Sequence, residues 1–549
     1  MYKIVDLFAG AGGLSLGFEM TKKFEVVAFV ENNKNAAKTY LQNHPEIKNY
    51  DDILELDFKD ILTANSVIDV VVGGPPCQGF SNANRQRRSL INGSNELIKR
   101  YVEAIKILKP SVFVLENVKT IASKKHVFYL TLEDKNHIVN DLNLEIEKRD
   151  LLLYKGEKHS KELFDLVKMN EHNKLLLLNN EELWLLRNIV KKKKIFADYI
   201  KKNGNMKSFK KVISVLELSN EINLPQWYKT IVDGTKQTLL EVFESMTLNI
   251  QHSEIIQKFL EIQRFFIGIE ELNKQNVIYQ IKNKNDQIQI VIETYVVIDY
   301  IKKSFEYLGY ETDGDILNAA SYGTPQYRER YFLVGIKKEK ILENVIIELP
   351  KAIIKDEKDY ITVKDALKDL EKYNPSFESM DDKIIKSYDP KTNSLYRELV
   401  VNNENKYIYN HVCTDTKKVA KDRFAQIKPG DNFHSLPEEM KQTYENPGRT
   451  QNTIYKRLDY NKPSDTVVNI RKSMWIHPKF NRAVSAREAA RLQSFPDSYI
   501  FYGTKDSVYQ QIGNAVPPIL GRAIAETILR LLNCDEDYET LKMIYEKYN

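Results

Sequence analysis

A cysteine on a rigid turn is the first residue whose setting suggests chemistry. Residues 73–81 read Gly-Gly-Pro-Pro-Cys-Gln-Gly-Phe-Ser and directly follow an apolar, β-rich run. A structural cysteine is normally buried among apolar residues, whereas Cys77 would be presented on a Pro-Pro turn with little freedom to move. The pattern predicts a thiolate nucleophile, and a buried structural thiol is the alternative.

A carboxylate ends a second apolar run. Residues 116–118 read Glu-Asn-Val and follow the run at residues 111–115. If both runs are parallel strands, Glu116 and Cys77 lie in the same crevice, where a carboxylic acid can polarise an aromatic ring that the thiolate attacks. A strand-end acid without a chemical role is the alternative.

Two arginines lead into a third apolar run. Residues 326–330 read Gln-Tyr-Arg-Glu-Arg. Alternate side chains of an extended segment lie on one face, so Arg328 and Arg330 can point at the same ligand. An ion pair with Glu329 is the structural alternative.

A glycine-rich turn near the N-terminus is typical of a cofactor site. Residues 6–14 read Asp-Leu-Phe-Ala-Gly-Ala-Gly-Gly-Leu. Glycines at a strand-to-helix turn let the backbone approach a ligand, and the N-terminus of the next helix attracts anionic groups. Alone, the pattern also fits a plain tight turn or a dinucleotide site. Glu31, which ends the second β-rich run, is placed to accept hydrogen bonds from ribose hydroxyls.

Three further segments give weaker signals. Asp52 and Ile53 fit an adenine, with the carboxylate accepting from the amino group and the isoleucine packing on the ring; a solvated loop acid is the alternative. Arg85 and Arg87 belong to a basic loop that either clamps phosphates or is simply exposed. Asn514 precedes a helix that starts at Pro-Pro, and it either closes over a cofactor or makes a turn.

The elements that must position these residues alternate along the first third of the chain. Apolar runs at residues 3–8, 25–30, 67–72 and 111–115 are separated by helical or loop segments. Near-continuous apolar strands belong in a parallel sheet covered on both faces. The sequence therefore predicts an α/β fold with a doubly wound, mostly parallel sheet, in which ligands lie beyond the carboxyl ends of the strands.

The character of the sequence changes after residue 122, so that residues 1–122 form only the first part of the predicted catalytic domain. Residues 123–291 hold one proline and apolar residues at helical spacing, which predicts a helical insertion. Its lysine run at residues 191–194 indicates first a solvated helix face and second a phosphate contact. Residues 292–337 return to the catalytic domain, residues 338–484 are turn-rich and predict a smaller irregular domain, and residues 485–549 are again helical.

Composition excludes several classes of protein. Three cysteines among 549 residues exclude a disulfide framework and a cysteine-rich zinc module, and they suit a reducing cytosol. The formal net charge of +5 is too small to indicate a nucleic-acid partner by itself. The N-terminal run contains Asp6 and lacks a basic leader, and no run reaches the length that spans a bilayer, so we expect a cytoplasmic protein without a membrane partner.

Taken together and in this order, the motifs resemble those of the DNA cytosine-5 methyltransferase family, especially the bacterial restriction-modification enzymes. The resemblance covers residues 3–119, about 300–335 and about 458–528. It implies a class I adenosylmethionine-dependent fold and a target-recognition domain at residues 338–484. It also implies S-adenosylmethionine as cofactor, S-adenosylhomocysteine as product, no metal, double-stranded DNA as substrate in the nucleoid, and a cognate restriction endonuclease in the same system.

The resemblance assigns a role to each matching residue. It implies that Cys77 is the nucleophile, Glu116 the cytosine-binding acid, and Arg330 with Arg328 the contacts to the base carbonyl and a nearby phosphate. The implied cofactor-binding residues are Phe8, Gly10, Gly12, Gly13, Leu14, Glu31, Asp52, Ile53, Pro75, Asn514 and Val516. The implied DNA-binding residues are Gln78, Ser81, Arg85 and Arg87.

The implied reaction adds the Cys77 thiolate to carbon 6 of a cytosine that has been flipped out of the duplex, with Glu116 at the ring nitrogen. Two rivals remain at this point: a tRNA cytosine methyltransferase on the same scaffold, and a non-catalytic DNA-binding protein that keeps the fold. The insertion is far longer than in compact family members. Its hypothetical roles are dimerisation, an extra DNA contact or the binding of a partner.

Overall fold

The computed structural model describes residues 1–76, 94–156, 159–169, 175–192, 195–201, 204–341, 346–378, 380, 383–385, 394–401, 406–444, 446–534 and 537–548. The described chain forms two compact units. The first unit takes in the described residues of Met1–Asn84, Gly93–Lys124 and Ile301–Asn549, and the second unit takes in those of Lys125–Tyr300.

A seven-stranded sheet is the centre of the first unit. Its strands are β1 (Tyr2–Leu7), β2 (Phe24–Val30), β3 (Lys48–Asn49), β4 (Val70–Gly73), β5 (Val112–Val118), β10 (Tyr310–Asn318) and β11 (Glu329–Lys337). The strand order is β10-β11-β5-β4-β1-β2-β3. Only β11 runs antiparallel to its neighbours, β5 and β10. This order confirms the predicted doubly wound, mostly parallel sheet.

The helices of the first unit occur between the strands and after them in sequence. They are α1 (Gly13–Glu19), α2 (Lys34–Asn43), α3 (Lys59–Ala64), α4 (Ser94–Leu108), α12 (Val363–Leu367), α13 (Lys418–Gln426), α14 (Glu438–Lys441), α15 (Ile470–Ser473), α16 (Ala486–Leu492), α17 (Lys505–Asn514), α18 (Pro518–Leu531) and α19 (Leu541–Tyr548). Helix α11 (Val297–Tyr307) spans the boundary between the units in sequence.

The order of the strands reverses between β1 and β4. The chain adds β2 and β3 on one side of this pair and β5 on the other. In doubly wound sheets, ligands bind beyond the carboxyl ends of the strands at such a reversal. The glycine-rich turn follows β1, and residues 74–76 follow β4, which pairs with β1 in parallel. The topology therefore places two of the predicted motifs next to each other.

Two glycines let α1 and α18 pack backbone against backbone. A Cβ on Gly17 would lie 2.4 Å from the carbonyl oxygen of Pro518, and a Cβ on Gly521 would lie 2.8 Å from the carbonyl oxygen of Leu14. Because packed atoms do not approach so closely, any larger residue would push the helices apart. Helix α18 therefore fixes the helix that carries the buried Leu14 and follows the glycine turn.

Helix α16 is buried on every side although it carries three charged residues. An amphipathic helix normally keeps its charges on an exposed face, but here the charges find partners inside the protein. Arg491 lies 2.5 Å from Asp369 and 2.8 Å from Asp497. Arg482 lies 2.6 Å from Glu488. A buried charge without such a partner costs several kcal/mol, so the pairing explains how the helix can be buried.

We expect Glu488→Ala to lower the free energy of unfolding by about 3–5 kcal/mol, because Arg482 and the Ser485 amide would lose a buried acceptor. Burial raises the pKa of Glu488, but the charge and hydrogen bonds of Arg482 outweigh burial and hold it well below its usual range. The stabilisation is therefore fully present at neutral pH and is lost progressively as the pH falls from the unfolded-state pKa of 4.5 towards the lower pKa of the folded state. Urea unfolding measures the change.

The control is Glu546→Ala, which breaks an exposed pair with Lys542 on α19. This variant should change the free energy of unfolding by less than about 1 kcal/mol. Equal losses in the two variants would contradict the stabilising role of the buried pair.

The second unit contains both helices and a sheet. Its helices are α5 (Ser160–Lys168), α6 (Asn180–Lys191), α7 (Phe196–Ile200), α8 (Asn205–Glu217), α9 (Gln226–Ser245) and α10 (Ile250–Lys274). Its strands are β6 (Val127–Tyr129), β7 (Glu147–Lys155), β8 (Tyr279–Lys284) and β9 (Gln287–Val296). Strand β9 pairs antiparallel with the other three. The helices were predicted from the sequence and the sheet was not.

Residues 338–484, predicted as a smaller irregular domain, hold α12 to α15 and a two-stranded ladder of β12 (Lys383–Ile385) and β13 (Tyr407–Tyr409). The reading of DNA by this region stays a prediction. Among the described residues, no helix combines the length and the apolar character needed to cross a membrane.

Candidate active site

The glycine turn closes on Glu31. Gly10 and Gly12 have φ values of +56° and +75°, a conformation that glycine adopts without strain. The Gly10 amide donates to Glu31 Oε2 at 2.8 Å, and the Asn33 amide donates to Glu31 Oε1 at 2.7 Å. Burial raises the pKa of Glu31, and these hydrogen bonds oppose the shift. Strands β1 and β2 thus bring two predicted parts of one site into direct contact.

The end of α17 and the start of α18 close the turn from another side. A Cβ on Gly13 would lie 2.2 Å from the carbonyl oxygen of Val516, so this backbone abuts the turn. Phe8 enters the turn with a φ of +59°. The Asn514 side chain is exposed and accepts a hydrogen bond from Gln510 at 2.8 Å. The structure therefore brings Val516 against the turn and leaves the Asn514 side chain at the surface.

A buried polar cluster that the sequence analysis missed adjoins the glycine turn. The Tyr499 hydroxyl donates to the carbonyl oxygen of Ala11 at 2.5 Å. The Tyr40 hydroxyl lies 2.9 Å from Ser15 Oγ and donates to Asp6 Oδ2 at 3.5 Å. Burial raises the pKa of Asp6 to about 7. These buried contacts stabilise the conformation of the glycine turn. No local sequence pattern links the two tyrosines to the turn.

Arg100 on α4 holds the loop that carries Asp52 and Ile53. Its Nε and Nη2 donate to the carbonyl oxygen of Ile53 at 2.9 and 2.7 Å, and Nη2 also donates to the carbonyl oxygen of Leu56 at 2.6 Å. Ile53 is buried, and Asp52 is half-buried. Sequence reasoning did not find Arg100, because an arginine within an amphipathic helix has no distinguishing local signal.

The residues present fit the S-adenosylmethionine that the resemblance implies. A Cβ built on Gly10 would meet no atom within 4 Å, so there is open space beside the backbone of the turn. Asn49 connects the acid-bearing segments: it accepts from the Glu31 amide at 3.1 Å and donates to Asp51 at 2.9 Å. Half-buried carboxylates beside an open glycine backbone suit ribose hydroxyls and an amino group.

Glu116 and Arg330 form an ion pair at the carboxyl end of the sheet. Glu116 Oε1 lies 3.1 Å from Arg330 Nε, and the two residues come from the antiparallel neighbours β5 and β11. A Cβ on Gly74 would lie 2.7 Å from Glu116 Oε2, so the carboxyl packs directly on that backbone. Burial raises the pKa of Glu116, with Arg330 and then Arg328 opposing the shift. The result is a desolvated carboxyl at a fixed position.

Asn117 fixes the turn that precedes the predicted nucleophile. Its side-chain amide donates to the carbonyl oxygen of Pro75 at 2.9 Å, and both residues are buried. Cys77 and the predicted DNA-binding residues lie outside the described residues; the latter are Gln78, Ser81, Arg85 and Arg87. The described residues therefore include the Pro-Pro turn that precedes Cys77 but not the thiol itself.

Arg328 and Arg330 differ in their surroundings. Arg328 is fully buried, and its guanidinium donates to the carbonyl oxygens of Val467 and Gly513, each at 3.0 Å. It thus ties β11 to the segments before α15 and at the end of α17. Arg330 faces Glu116. Ligand contact by both arginines, as the sequence predicted, stays a prediction.

Comparisons with known proteins agree with this geometry. The model of the C-5 cytosine-specific DNA methylase family matches residues 2–149 and 289–530. The type II methyltransferase M.DdeI of Desulfomicrobium norvegicum is 26% identical over 542 residues, which cover 96% of this chain and 88% of the relative. The DNA (cytosine-5-)-methyltransferase M.ApeKI of Aeropyrum pernix is 24% identical over 568 residues, which cover 97% and 99%.

A solved structure supports the fold. The crystal structure described as a DNA modification methyltransferase encoded within a prophage (E. coli) aligns with a TM-score of 0.51 and 21% identity, covering 97% of this chain and 100% of that chain. The fold is that of the class I adenosylmethionine-dependent methyltransferases. Since the family model matches most of the sequence and leaves out only residues 150–288 between its two parts, the chain belongs to the C-5 cytosine-specific DNA methylase family and is a DNA (cytosine-5-)-methyltransferase.

Proposed function

We propose that the enzyme methylates carbon 5 of a cytosine flipped out of a specific double-stranded DNA sequence, through a covalent bond to Cys77. The observation that carries the proposal is the Glu116 carboxyl, held between Arg330 and the Gly74 backbone beside the Pro-Pro turn. This arrangement suits the binding of a pyrimidine edge next to a thiol at position 77.

S-adenosylmethionine, when bound, supplies an electrophilic methyl group on a sulfonium. Glu31 would accept hydrogen bonds from the ribose, and Asp52 with Ile53 would hold the adenine. The glycine turn would contact the methionine part. The remaining residues proposed to line this cofactor are Phe8, Gly10, Gly12, Gly13, Leu14, Pro75, Asn514 and Val516.

The covalent step makes carbon 5 nucleophilic, although this carbon is not nucleophilic in neutral cytosine. The Cys77 thiolate adds to carbon 6, and the electron pair of the double bond between carbons 5 and 6 moves through the ring as Glu116 gives its proton to the ring nitrogen. Arg330 holds Glu116 in place and contacts the base carbonyl. Carbon 5 thereby gains the character of an enamine carbon.

After methylation, carbon 5 loses its proton to a solvent water or hydroxide, and the ring nitrogen returns its proton to the Glu116 carboxylate. The electron pair of that C–H bond re-forms the double bond and expels the Cys77 thiolate from carbon 6, which restores the aromatic ring. Neither face of a stacked base admits these groups, so the base leaves the stack at a cost of a few kcal/mol. Contacts from Gln78, Ser81, Arg85 and Arg87 to the DNA are proposed to offset this cost.

A labelled-methyl assay tests the reaction. We expect label from S-adenosylmethionine to enter duplex DNA and not tRNA, and bisulfite sequencing of DNA from expressing cells to show one methylated sequence. Label in tRNA alone would contradict the proposal and favour the tRNA branch of this scaffold.

We also propose that the enzyme is the modification partner in a restriction-modification system. The support is the naming of relatives such as M.DdeI as type II methyltransferases. DNA from expressing cells should resist one restriction endonuclease at the methylated sequence and remain sensitive to others. Methylation at cytosines without any shared sequence would argue against this role.

Arg100→Ala should raise the KM for S-adenosylmethionine about tenfold while kcat changes little. The variant removes charge-assisted hydrogen bonds to the carbonyl oxygens of Ile53 and Leu56, each worth about 1.5–3 kcal/mol. The loop that presents Asp52 then loses its anchor, although no reacting group changes. Initial-rate kinetics at varied cofactor concentration separate the two parameters.

Glu103→Ala is the matched control. It removes only the partly exposed pair with Arg100 at 2.5 Å and leaves the bonds to the loop intact. Its KM should stay within about twofold of the native value. A similar rise in both variants, or a fall in kcat alone for Arg100→Ala, would show that Arg100 does not act through this loop.

A further inference from the structure

A strongly basic segment lies in the second unit, in the part of the chain that the family model leaves out. Residues 187–211 contain ten lysines and arginines and one aspartate, a net charge of +9, whereas the whole chain carries +5. Like charges at this density repel one another, and a bound polyanion removes the repulsion. The net positive charge is therefore concentrated in one segment of the sequence.

Helices α6, α7 and α8, which carry the described cations of this segment or are flanked by them, pack on one another. The rings of Phe196 on α7 and Phe209 on α8 lie 6.0 Å apart. Lys211 Nζ on α8 lies 3.5 Å from Glu182 Oε1 on α6. The exposed lysines of these helices and their ends that form no ion pair with a carboxylate of the described chain define the lysine surface: Lys191, Lys192, Lys201, Lys207 and Lys210.

Local contacts account for part of the lysine surface. Lys192 Nζ lies 4.6 Å from the ring centroid of Tyr199, and Lys210 Nζ lies 5.3 Å from that of Phe243. Lys191 occupies the last turn of α6, where a cation interacts favourably with the helix dipole.

Local contacts of this kind do not account for two members of the lysine surface, Lys201 and Lys207. Within the described part of the chain, neither Lys201 nor Lys207 forms an ion pair with a carboxylate. Lys207 lies in the first turn of α8, which has no acidic residue. The dipole disfavours a cation at that position. A phosphate bound there would reverse the sign of this interaction, because it interacts favourably with both the lysine and the helix N-terminus.

We propose that the lysine surface binds the phosphate backbone of duplex DNA as a sequence-independent contact, in addition to the site that reads the target. The proposal rests on the enzyme acting on duplex DNA. Duplex DNA is the polyanion that this enzyme must meet, and lysines on long flexible stems contact phosphates without requiring a base sequence. The second unit would thus hold the enzyme on DNA between target sites.

Salt dependence gives the measurable signature. Each phosphate neutralised by a lysine contributes about 0.9 to the slope of log affinity against log salt concentration. Changing Lys191, Lys192, Lys201 and Lys207 together to glutamine should therefore lower the slope by up to about 3.6 and weaken binding at low salt at least about tenfold. Fluorescence anisotropy with a duplex of arbitrary sequence measures both. The double variant Lys201→Gln, Lys207→Gln should give an intermediate slope.

The matched control changes the same number of exposed lysines elsewhere in the second unit to glutamine. These are Lys135, Lys148, Lys282 and Lys284. The control should keep the native slope to within about one contact. Equal decreases of the slope in the two quadruple variants would show that the effect depends only on net charge. This result would overturn the proposal. Slopes that are unchanged in both variants would also overturn it. So would a lysine-surface variant that binds duplex RNA more weakly than the native enzyme does but binds duplex DNA equally well.

The test is independent of catalysis. The variants of the lysine surface should keep the native kcat at saturating DNA, because they leave the first unit untouched. Failure of the native enzyme to methylate DNA would contradict the proposed function, yet the slopes could still be compared. A native slope in the lysine variant of an active enzyme would overturn only the lysine surface.

Discussion

Replacing Cys77 with serine should lower kcat by more than about 10³-fold, because a serine hydroxyl without an adjacent base is not ionised near neutral pH and cannot add to carbon 6. Labelled-methyl transfer to duplex DNA measures the loss. A second readout isolates the bond itself: DNA with 5-fluorocytosine at the target should trap the native enzyme in an adduct that survives denaturing electrophoresis. The fluorine occupies the position from which a proton must leave, so the thiolate cannot be expelled.

Cys534→Ser is the control for this experiment, since Cys534 is half-buried, follows α18 and belongs to none of the predicted motifs. It should keep both activity and trapping. Burial raises the pKa of Cys413 to about 12, so that thiol is not a competing nucleophile at neutral pH. An adduct formed by the Cys77→Ser protein would refute the covalent role of this residue.

Glu116→Gln should lower kcat about 10²–10⁴-fold, because glutamine keeps the size of the side chain and cannot give a proton to the ring nitrogen. The dependence on pH adds a second prediction. Burial raises the pKa of Glu116, so its protonated form persists to a higher pH than that of an ordinary glutamate. Native activity needs the acid protonated and the thiol ionised, which gives a bell-shaped profile. In the variant the fall at alkaline pH should disappear, and a retained fall would show that another group carries the proton.

Gly74→Ala tests the position of the same carboxyl without changing its chemistry. The added Cβ would lie 2.7 Å from Glu116 Oε2, so the carboxyl must move. We expect kcat to fall at least about tenfold, since small displacements of a catalytic group are costly. Gly448→Ala is the control, because its Cβ would meet nothing within 4 Å. Full activity of both variants would mean that the position of Glu116 is not critical.

The sequence predicted the sheet well because buried parallel strands carry nearly continuous apolar runs. The run expected at residues 3–8 is β1, and the run at residues 25–30 is β2. The run expected at residues 67–72 corresponds to β4, which begins later than predicted, at Val70, because Val67 is exposed. Strand β5 continues to Val118, so Glu116 lies within the strand and not after it. Pairing with β11 causes this extension, and no local pattern reports such pairing.

The residues that the sequence did not reveal act through distant contacts. Tyr499 reaches the glycine turn across 488 positions, and Arg100 reaches its loop across 47. Neither carries a motif, because only the fold brings it to the site. The sheet of the second unit did have a signal: residues 287–292 read Gln-Ile-Gln-Ile-Val-Ile, and their side chains alternate between half-buried and buried. That period of two is typical of a strand.

The close packing of α1 on α18 has a consequence for how the enzyme is made. Strand β1 and its glycine turn are synthesised well before α18, but Gly13 and Gly17 rest on the backbone of residues 516–521. A growing chain cannot complete this turn until more than 500 further residues have been synthesised. Methylating capacity therefore arises only after α18 has been synthesised, and a stop codon anywhere before α18 should yield an inactive product instead of a weakened enzyme.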